Sequence, residues 1–271
     1  MVIDYKSMKL YIPILSIFIY LSNIAHASSM PTPYPDGGVP ALNGMGAMAP
    51  DLDDPITKDF INYAKNLSEE DKILEVGSAY GNLVLELLKT TKTSITANDL
   101  DTRHLDILHN RALECCNKDI DRLTLDSGNF SNEKTLNAES YSGIIFHSVL
   151  LFMTPEEVER SLTRAHELLS KDGKLYIFAR SPYGYESFIP EYKRRLKNGV
   201  KWPGFVQDMY PYYKARGHEA LYLLDEPALK QLLEVKGFIV QDSFGMEWDK
   251  KMDKWVRMDN GSFTGSIAIK K

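Results

Sequence analysis

Cysteine is nearly missing from this 271-residue chain: there are two, Cys115 and Cys116, and they are adjacent. A bond between neighbours closes no loop, and the spacing is not that of a zinc site. Neither a disulfide framework nor a cysteine-held metal is therefore expected to organise the fold. A helical pattern runs through the pair, which places one side chain inside and the other near the surface. Excess charge is missing too. The chain has 32 basic and 37 acidic residues, a net charge of −5, which argues against nucleic acid as the main partner. Its one dense basic run, Lys193, Arg194, Arg195 and Lys197, suits a solvated helix face. Internal repeats are absent. The longest apolar run, Leu10 to Ile24, carries Pro13 and Asn23 and is short of the ~20 residues a spanning helix needs. What is present, 44% hydrophobic and 25% charged residues, is an ordinary globular composition, at a length that buries a full core unaided.

That apolar run follows Lys6 and Lys9 and ends in Ala25-His26-Ala27, small residues where signal peptidase reads them. Met8 is a second plausible start. Residues 1–27 are expected to be a cleavable signal peptide, making the protein exported (periplasmic or secreted). The alternative is an uncleaved N-terminal anchor, the only part that would then touch a membrane. Residues 28–54 are rich in Pro and Gly without apolar periodicity, as in a linker or loosely attached arm. One domain is expected over 55–271, opening with a helix from Pro55 to Asn66 that puts Phe60, Ile61 and Ala64 on one face.

From residue 71 apolar runs alternate with amphipathic stretches, the pattern of a parallel sheet covered by helices. Strands are expected at 73–76, 94–98, 122–125, 143–146, 174–179, 238–242 and 266–269. Helices are expected at 82–90, 102–117, from Thr154 to Leu169, and at 225–236. Thr154-Pro155-Glu156-Glu157 supplies a cap, a first-turn proline and a capping-box glutamate, and Lys171-Asp172-Gly173 is expected to stop that helix. No helix separates the last two strands. The expected fold is therefore α/β: a doubly wound, mostly parallel seven-stranded sheet with an antiparallel last strand and helices on both faces.

Chemistry concentrates in Leu74-Glu75-Val76-Gly77-Ser78-Ala79-Tyr80-Gly81-Asn82. A strand ends beside an acid, and the chain turns through two glycines into a helix, so that its backbone can approach a ligand closely. Asp99 ends the next strand, where a carboxylate can accept from two ribose hydroxyls. The turn lacks the G-x-G-x-x-G spacing of a dinucleotide-dependent oxidoreductase.

LEVGSAYG resembles motif I of class I S-adenosylmethionine-dependent methyltransferases, and TANDLD resembles their second motif. LDSGNF, SGIIFHSVLLFMTPEEVERSL, LLSKDGKLYIFARSP and LLEVKGFIVQDSFG are similar to later family segments, in the family's order. The resemblance runs from about residue 70 to the C-terminus. It implies S-adenosylmethionine as cofactor, with Glu75, Gly77 and Gly81 at its methionine end and Asp99 on the ribose. It further implies Leu100 beneath the adenine, with Asn129 and Phe130 at the adenine's edge and face. Ala79 replaces the family's middle glycine, and Asn129 replaces a common aspartate. Phe-His-Ser-Val differs from the Asn-Pro-Pro-aromatic form of nucleobase methyltransferases, and no acidic cluster follows that strand to hold a metal. The expected function is metal-free methyl transfer to a small organic acceptor. A non-catalytic S-adenosylmethionine-binding or interaction protein is the alternative.

His147, at the end of the fourth strand, is a candidate general base; a substrate-positioning residue or a satisfied strand-tip histidine are the other readings. His104, His109 and His166 are expected at the surface of helices. Residues 181–222 form an aromatic-rich insertion, either a cover for the acceptor site or a subdomain with its own small core.

Overall fold

The computed structural model describes residues 29–35, 37–132, 136, 141–247 and 262–271. The segment read as a signal peptide or anchor, 1–27, lies outside them. Seven strands form one sheet: β1 (Lys72–Val76), β2 (Ser94–Asp99), β3 (Leu123–Ser127), β4 (Tyr141–His147), β5 (Leu169–Arg180), β6 (Phe238–Glu247) and β7 (Ser262–Lys270). Their order is β6-β7-β5-β4-β1-β2-β3. The pairs from β5 across to β3 are parallel, and β7 runs antiparallel to both its neighbours. The doubly wound sheet with a reversed last strand is thus observed. β6 and β7 pair antiparallel, as a sequence with no helical pattern between them allows; a parallel return would need a crossover.

The helices are α1 (Pro55–Lys65), α2 (Asn82–Thr90), α3 (Thr102–Cys116), α4 (Pro155–Leu168), α5 (Ile189–Lys197) and α6 (Glu226–Val235). Strand periodicity splits the core into two layers. Ile73, Ile95, Ala97, Ile145, Tyr176 and Phe178 pack with α1, α2 and α3. Their alternates Leu74, Val76, Ile144, Phe146, Leu175 and Ile177 pack with α4 and α6. α1 contributes Ile56, Phe60, Ile61 and Ala64, spaced along one face and buried. Phe60 meets Tyr176 edge-on, with ring centroids 5.1 Å apart.

The α4 capping box forms as expected between Thr154 and Glu157. The helix stops earlier than the Lys171-Asp172-Gly173 signal suggested. Leu169 already pairs with Tyr141, and an irregularity in the β4–β5 pairing follows. Asp172 takes φ 65°, so those three residues lie within an irregular extension of β5. Cys116 is buried and Cys115 exposed. Their sulfurs are in bonding contact, which ties no distant segments together. No helix among the described residues is long and apolar enough to cross a membrane.

The aromatic segment after β5 contains α5 and a pair of two-residue antiparallel strands, Phe205–Val206 with Leu221–Tyr222. Tyr185, Phe188, Tyr192 and Met209 are fully buried. Tyr185 packs on Tyr213, and Phe188 on Tyr212. On α5 the basic run is met from within, because Glu191 accepts from Arg194 and Arg195, each at 2.7 Å.

Phe60→Ala leaves a cavity between α1 and the sheet. A loss of about 3–5 kcal/mol is expected in urea unfolding with an unchanged m value. A loss below about 1 kcal/mol would show that α1 is not part of the cooperative core.

Candidate active site at the carboxyl ends of the central strands

The strand sequence reverses direction between β1 and β4, and a crevice opens at their carboxyl ends, where open α/β sheets bind ligands. A cavity of about 320 Å³ lies there. The β1–α2 turn forms one wall. Gly77 and Gly81 have φ 76° and 80°, in the left-handed region that glycine tolerates. Each is also packed from outside. A Cβ on Gly77 would lie 2.6 Å from Val149 Cγ2, and one on Gly81 would lie 2.0 Å from Leu108 Cδ1. Gly77 lines the cavity; Gly81 stands behind it, where closeness to α3 is its requirement. Ala79 also takes positive φ, 46°, so the residue departing from the family's glycine carries local strain.

The tip of β2 holds this turn from behind. Gly77 N and Ser78 N both donate to Asn98 O, at 2.9 and 3.0 Å. Ala79 N donates to Asp99 Oδ2 at 2.8 Å. Asp99 Oδ1 accepts from Asp101 N at 2.9 Å and contacts His104 Nδ1 at 3.0 Å. Asp99 is 5% exposed and His104 1%. The expectation of a surface His104 is thereby corrected. The histidine falls on the buried face of α3 with Leu105 and Leu108, and its two nitrogens find partners there. A carboxylate offers about four acceptor positions, so three neighbours leave Asp99 room for about one more.

Glu75 is 6% exposed and lines the cavity. Its Oε2 has no hydrogen-bond partner. Burial first, and the neighbouring Asp99 charge second, push its carboxyl up to about 8, against a hydrogen bond from the Val84 backbone. Leu100 is 56% exposed at the cavity rim. Asn129 donates to Glu157 Oε1 at 3.0 Å and accepts from Ser131 N at 3.0 Å. Phe130 is buried, edge-on to Phe146 at 5.4 Å, and reaches the cavity wall. Glu75, Gly77, Ala79, Asp99, Leu100, Asn129 and Phe130 thus share one cavity.

His147 lines the same cavity, stacked on Phe178 with centroids 5.0 Å apart. Its Nε2 lies 3.1 Å from Asp54 Oδ2. Asp54 is 3% exposed and also caps α1 through Thr57 N. Burial works to raise the Asp54 carboxyl, but the hydrogen bonds from His147 and Thr57 and the His147 charge outweigh it and hold it below its ordinary value. Arg180, at the end of β5, adds a cation to the wall. Burial draws its pKa down to about 9, Tyr185 opposing and Arg216 adding to the effect.

Asp54, Arg180 and the arm were not legible as site residues. A capping Asp and a strand-end Arg are common, and nothing local signals where they point. Residues 41–52, read as part of a linker or loose arm, line the cavity through Ala41, Asn43, Met45, Met48, Asp51 and Leu52. The aromatic segment 181–222 contributes no residue to this cavity; Tyr185, Phe188 and Tyr192 pack on neighbouring rings and belong to the core layer that also holds Phe60 and Tyr176.

Residues 73–173 match a family model described as a methyltransferase domain. No curated protein matches the chain. Among solved structures it is similar to an S-adenosylmethionine-dependent methyltransferase from Methanosarcina mazei (18% identity, TM-score 0.59, covering 78% of this chain and 96% of that one). It is also similar to the 1,6-didemethyltoxoflavin N1-methyltransferase of Burkholderia thailandensis (18%, 0.53, 81% and 80%). A third is phosphoethanolamine N-methyltransferase 2 of Haemonchus contortus (13%, 0.55, 79% and 51%). These likenesses establish the fold, and the matched segment is similar to a methyltransferase domain.

Proposed function

We propose that the domain transfers a methyl group from S-adenosylmethionine to the oxygen or nitrogen of a small organic acceptor, without a metal. One observation carries this reading: a buried carboxylate oxygen, Glu75 Oε2, has no partner in a cavity walled by a positive-φ turn. Such an oxygen suits the ammonium of a methionine moiety, and the close backbone of Gly77 and Ala79 suits a ligand lying flat against the turn. Asp99 would take the ribose, using its remaining acceptor position or displacing one donor. Leu100 and Phe130 would flank the adenine, and Asn129 its edge. When bound, the cofactor supplies a methyl already activated on a sulfonium. The chain's task is then alignment and removal of the acceptor's proton.

His147 is the candidate for that proton. With Nε2 donating to Asp54, Nδ1 keeps a lone pair. Asp54 would hold the ring, while stacking on Phe178 fixes its plane. Similarity to two proteins named as N-methyltransferases of small molecules supports a small acceptor. We read residues 1–27 as an export signal, with the uncleaved anchor as alternative; a reporter fused after Ala27 that is found free in the cytosol and absent from the membrane fraction sinks both.

Calorimetric titration with S-adenosylmethionine should show binding that Asp99→Ala weakens about 10- to 100-fold. Failure of the folded wild type to bind would leave the non-catalytic alternative. Glu75 predicts a proton effect. Its folded value of about 8 exceeds its ordinary 4.5, so between those pH values the folded state holds a proton that the unfolded state has released. Stability therefore falls as pH rises from about 4.5 to about 8. Glu75→Gln should flatten that slope in melting curves. A cationic ligand beside Glu75 favours its ionised form, so cofactor binding near pH 7 should release a proton, read from titrations in buffers of different ionisation enthalpy. No release would place the ammonium elsewhere. Once an acceptor is found by screening, His147→Gln should lower kcat about a hundredfold with cofactor affinity unchanged. An unaltered kcat would return His147 to a structural role.

A further inference from the structure

We propose that His104 is a positioning residue that couples the carboxylate of Asp99 to a strap formed by residues 39–52, so that closure of the strap and occupancy of the cofactor cleft reinforce each other. The proposal rests on the reading of Asp99 as the ribose ligand.

The strap is a hairpin, with Val39 and Pro40 paired to Met48 and Ala47. Its apolar footing is small. Val39 is buried with Tyr80 and Ile107, Leu42 and Met48 pack at the edge of that cluster, Phe152 lies against Gly46, and Leu52 alone reaches the edge of the main core. Four hydrogen bonds do the rest. Leu42 N donates to His104 Nε2 at 3.0 Å, and Tyr80 Oη donates to Pro40 O at 2.8 Å. Arg103 Nη2 donates to Leu42 O at 3.2 Å, and Asn82 Nδ2 to Ala49 O at 2.8 Å. All four partners lie in α3, in the β1–α2 turn or at the first residue of α2, the segments that leave the cofactor end of the sheet. A segment with few buried apolar contacts opens at low free energy, and a handful of polar contacts then decides its position.

His104 sits at the centre of this set. A backbone N–H can only donate, so Nε2 must be unprotonated where Leu42 meets it. The ring proton is therefore on Nδ1, pointing at Asp99 Oδ1 3.0 Å away. Only this tautomer satisfies both neighbours. Leu42, His104 and Asp99 form a directional chain running from the strap to the site carboxylate. Anything that orients the carboxylate orients the imidazole, and the imidazole holds the strap that walls the same cavity. Tyr80 packs edge-on against the ring at 4.9 Å and prevents it from turning freely. Asp101 Oδ2, 3.9 Å from Nε2, is engaged by Arg103. Linkage makes the effect reciprocal: if the closed strap favours the ligand, the ligand favours closure by the same factor.

The test uses the full chain and two variants. His104→Phe keeps the ring against Tyr80 but removes both hydrogen bonds. His104→Gln keeps one donor and one acceptor. In the free protein, amide exchange across 39–52 should rise about tenfold in His104→Phe and return toward wild type in His104→Gln, with β1 and β4 exchange unchanged. Nitrogen-15 spectra of the wild type should show His104 as the Nδ1–H tautomer. S-adenosylhomocysteine should slow strap exchange in the wild type and bind about tenfold more weakly to His104→Phe. Unchanged strap exchange in His104→Phe, or an Nε2–H tautomer, overturns the role given to His104. Full binding without any slowing of strap exchange overturns the coupling while leaving the cofactor reading intact. Absence of binding to the wild type overturns the cofactor reading and the coupling together, with the free-protein exchange still deciding whether His104 holds the strap.

Discussion

The tie between the β1–α2 turn and the tip of β2 is the constraint on which the rest of the site depends. Three consecutive turn amides, from Gly77, Ser78 and Ala79, are held by Asn98 O and the Asp99 carboxylate. With those donors directed backwards, the turn is a rigid wall, and its glycines can take positive φ without becoming mobile. Gly81 then starts α2 against Leu108 of α3. One cluster of hydrogen bonds thereby sets the positions of two strand tips, two helix starts and the floor of the cavity. The parallel pairing of β2 on one side of β1 and β4 on the other leaves the opening above it.

Charge is arranged unevenly along this cavity. Glu75 and Asp99 crowd two acids into one buried corner, and Glu75 holds its proton to higher pH as a result. That arrangement disfavours charging both acids together. At the far side stand His147 with its buried Asp54, and Arg180, whose cation is disfavoured by burial. Perturbed titratable groups of this kind gather at functional sites, where a fold trades some stability for recognition. The strap adds a movable wall with a small apolar footing, so closing it does not commit the sheet or its helices to change.

Much of this was legible before any coordinates. The seven strands and their reversed last member followed from apolar runs of strand length and from the lack of a helix between the final two. The turn at Gly77 and the carboxylate at Asp99 followed from glycine's freedom at a strand end and an acid one unit later. Both line one cavity. His104 was misjudged because helical periodicity identifies a buried face only from apolar residues, and a histidine with two internal partners counts as polar. Residues 39–52 were read as linker because two-residue strands and backbone acceptors leave no periodic trace. The aromatic insertion had two readings open, a cover or a subdomain with its own core, and the structure instead joins Tyr185, Phe188 and Tyr192 to one layer of the domain's own core.

The sequence by itself determined the alternation of strands and helices, the side each strand residue faces, and the residues that terminate β1 and β2 beside a ligand crevice. Those properties depend on local chemistry: side-chain period, glycine dihedrals, caps and helix-stopping residues act within a few positions of the chain. Only the tertiary structure decided that Asp54 meets His147 from 93 residues away and that Leu42 meets His104 across 62. It also decided that a Pro- and Gly-rich arm walls the site. Such contacts are made by single polar groups whose partners are chosen by the path of the whole chain, and a hydrogen bond between distant residues has no period to read.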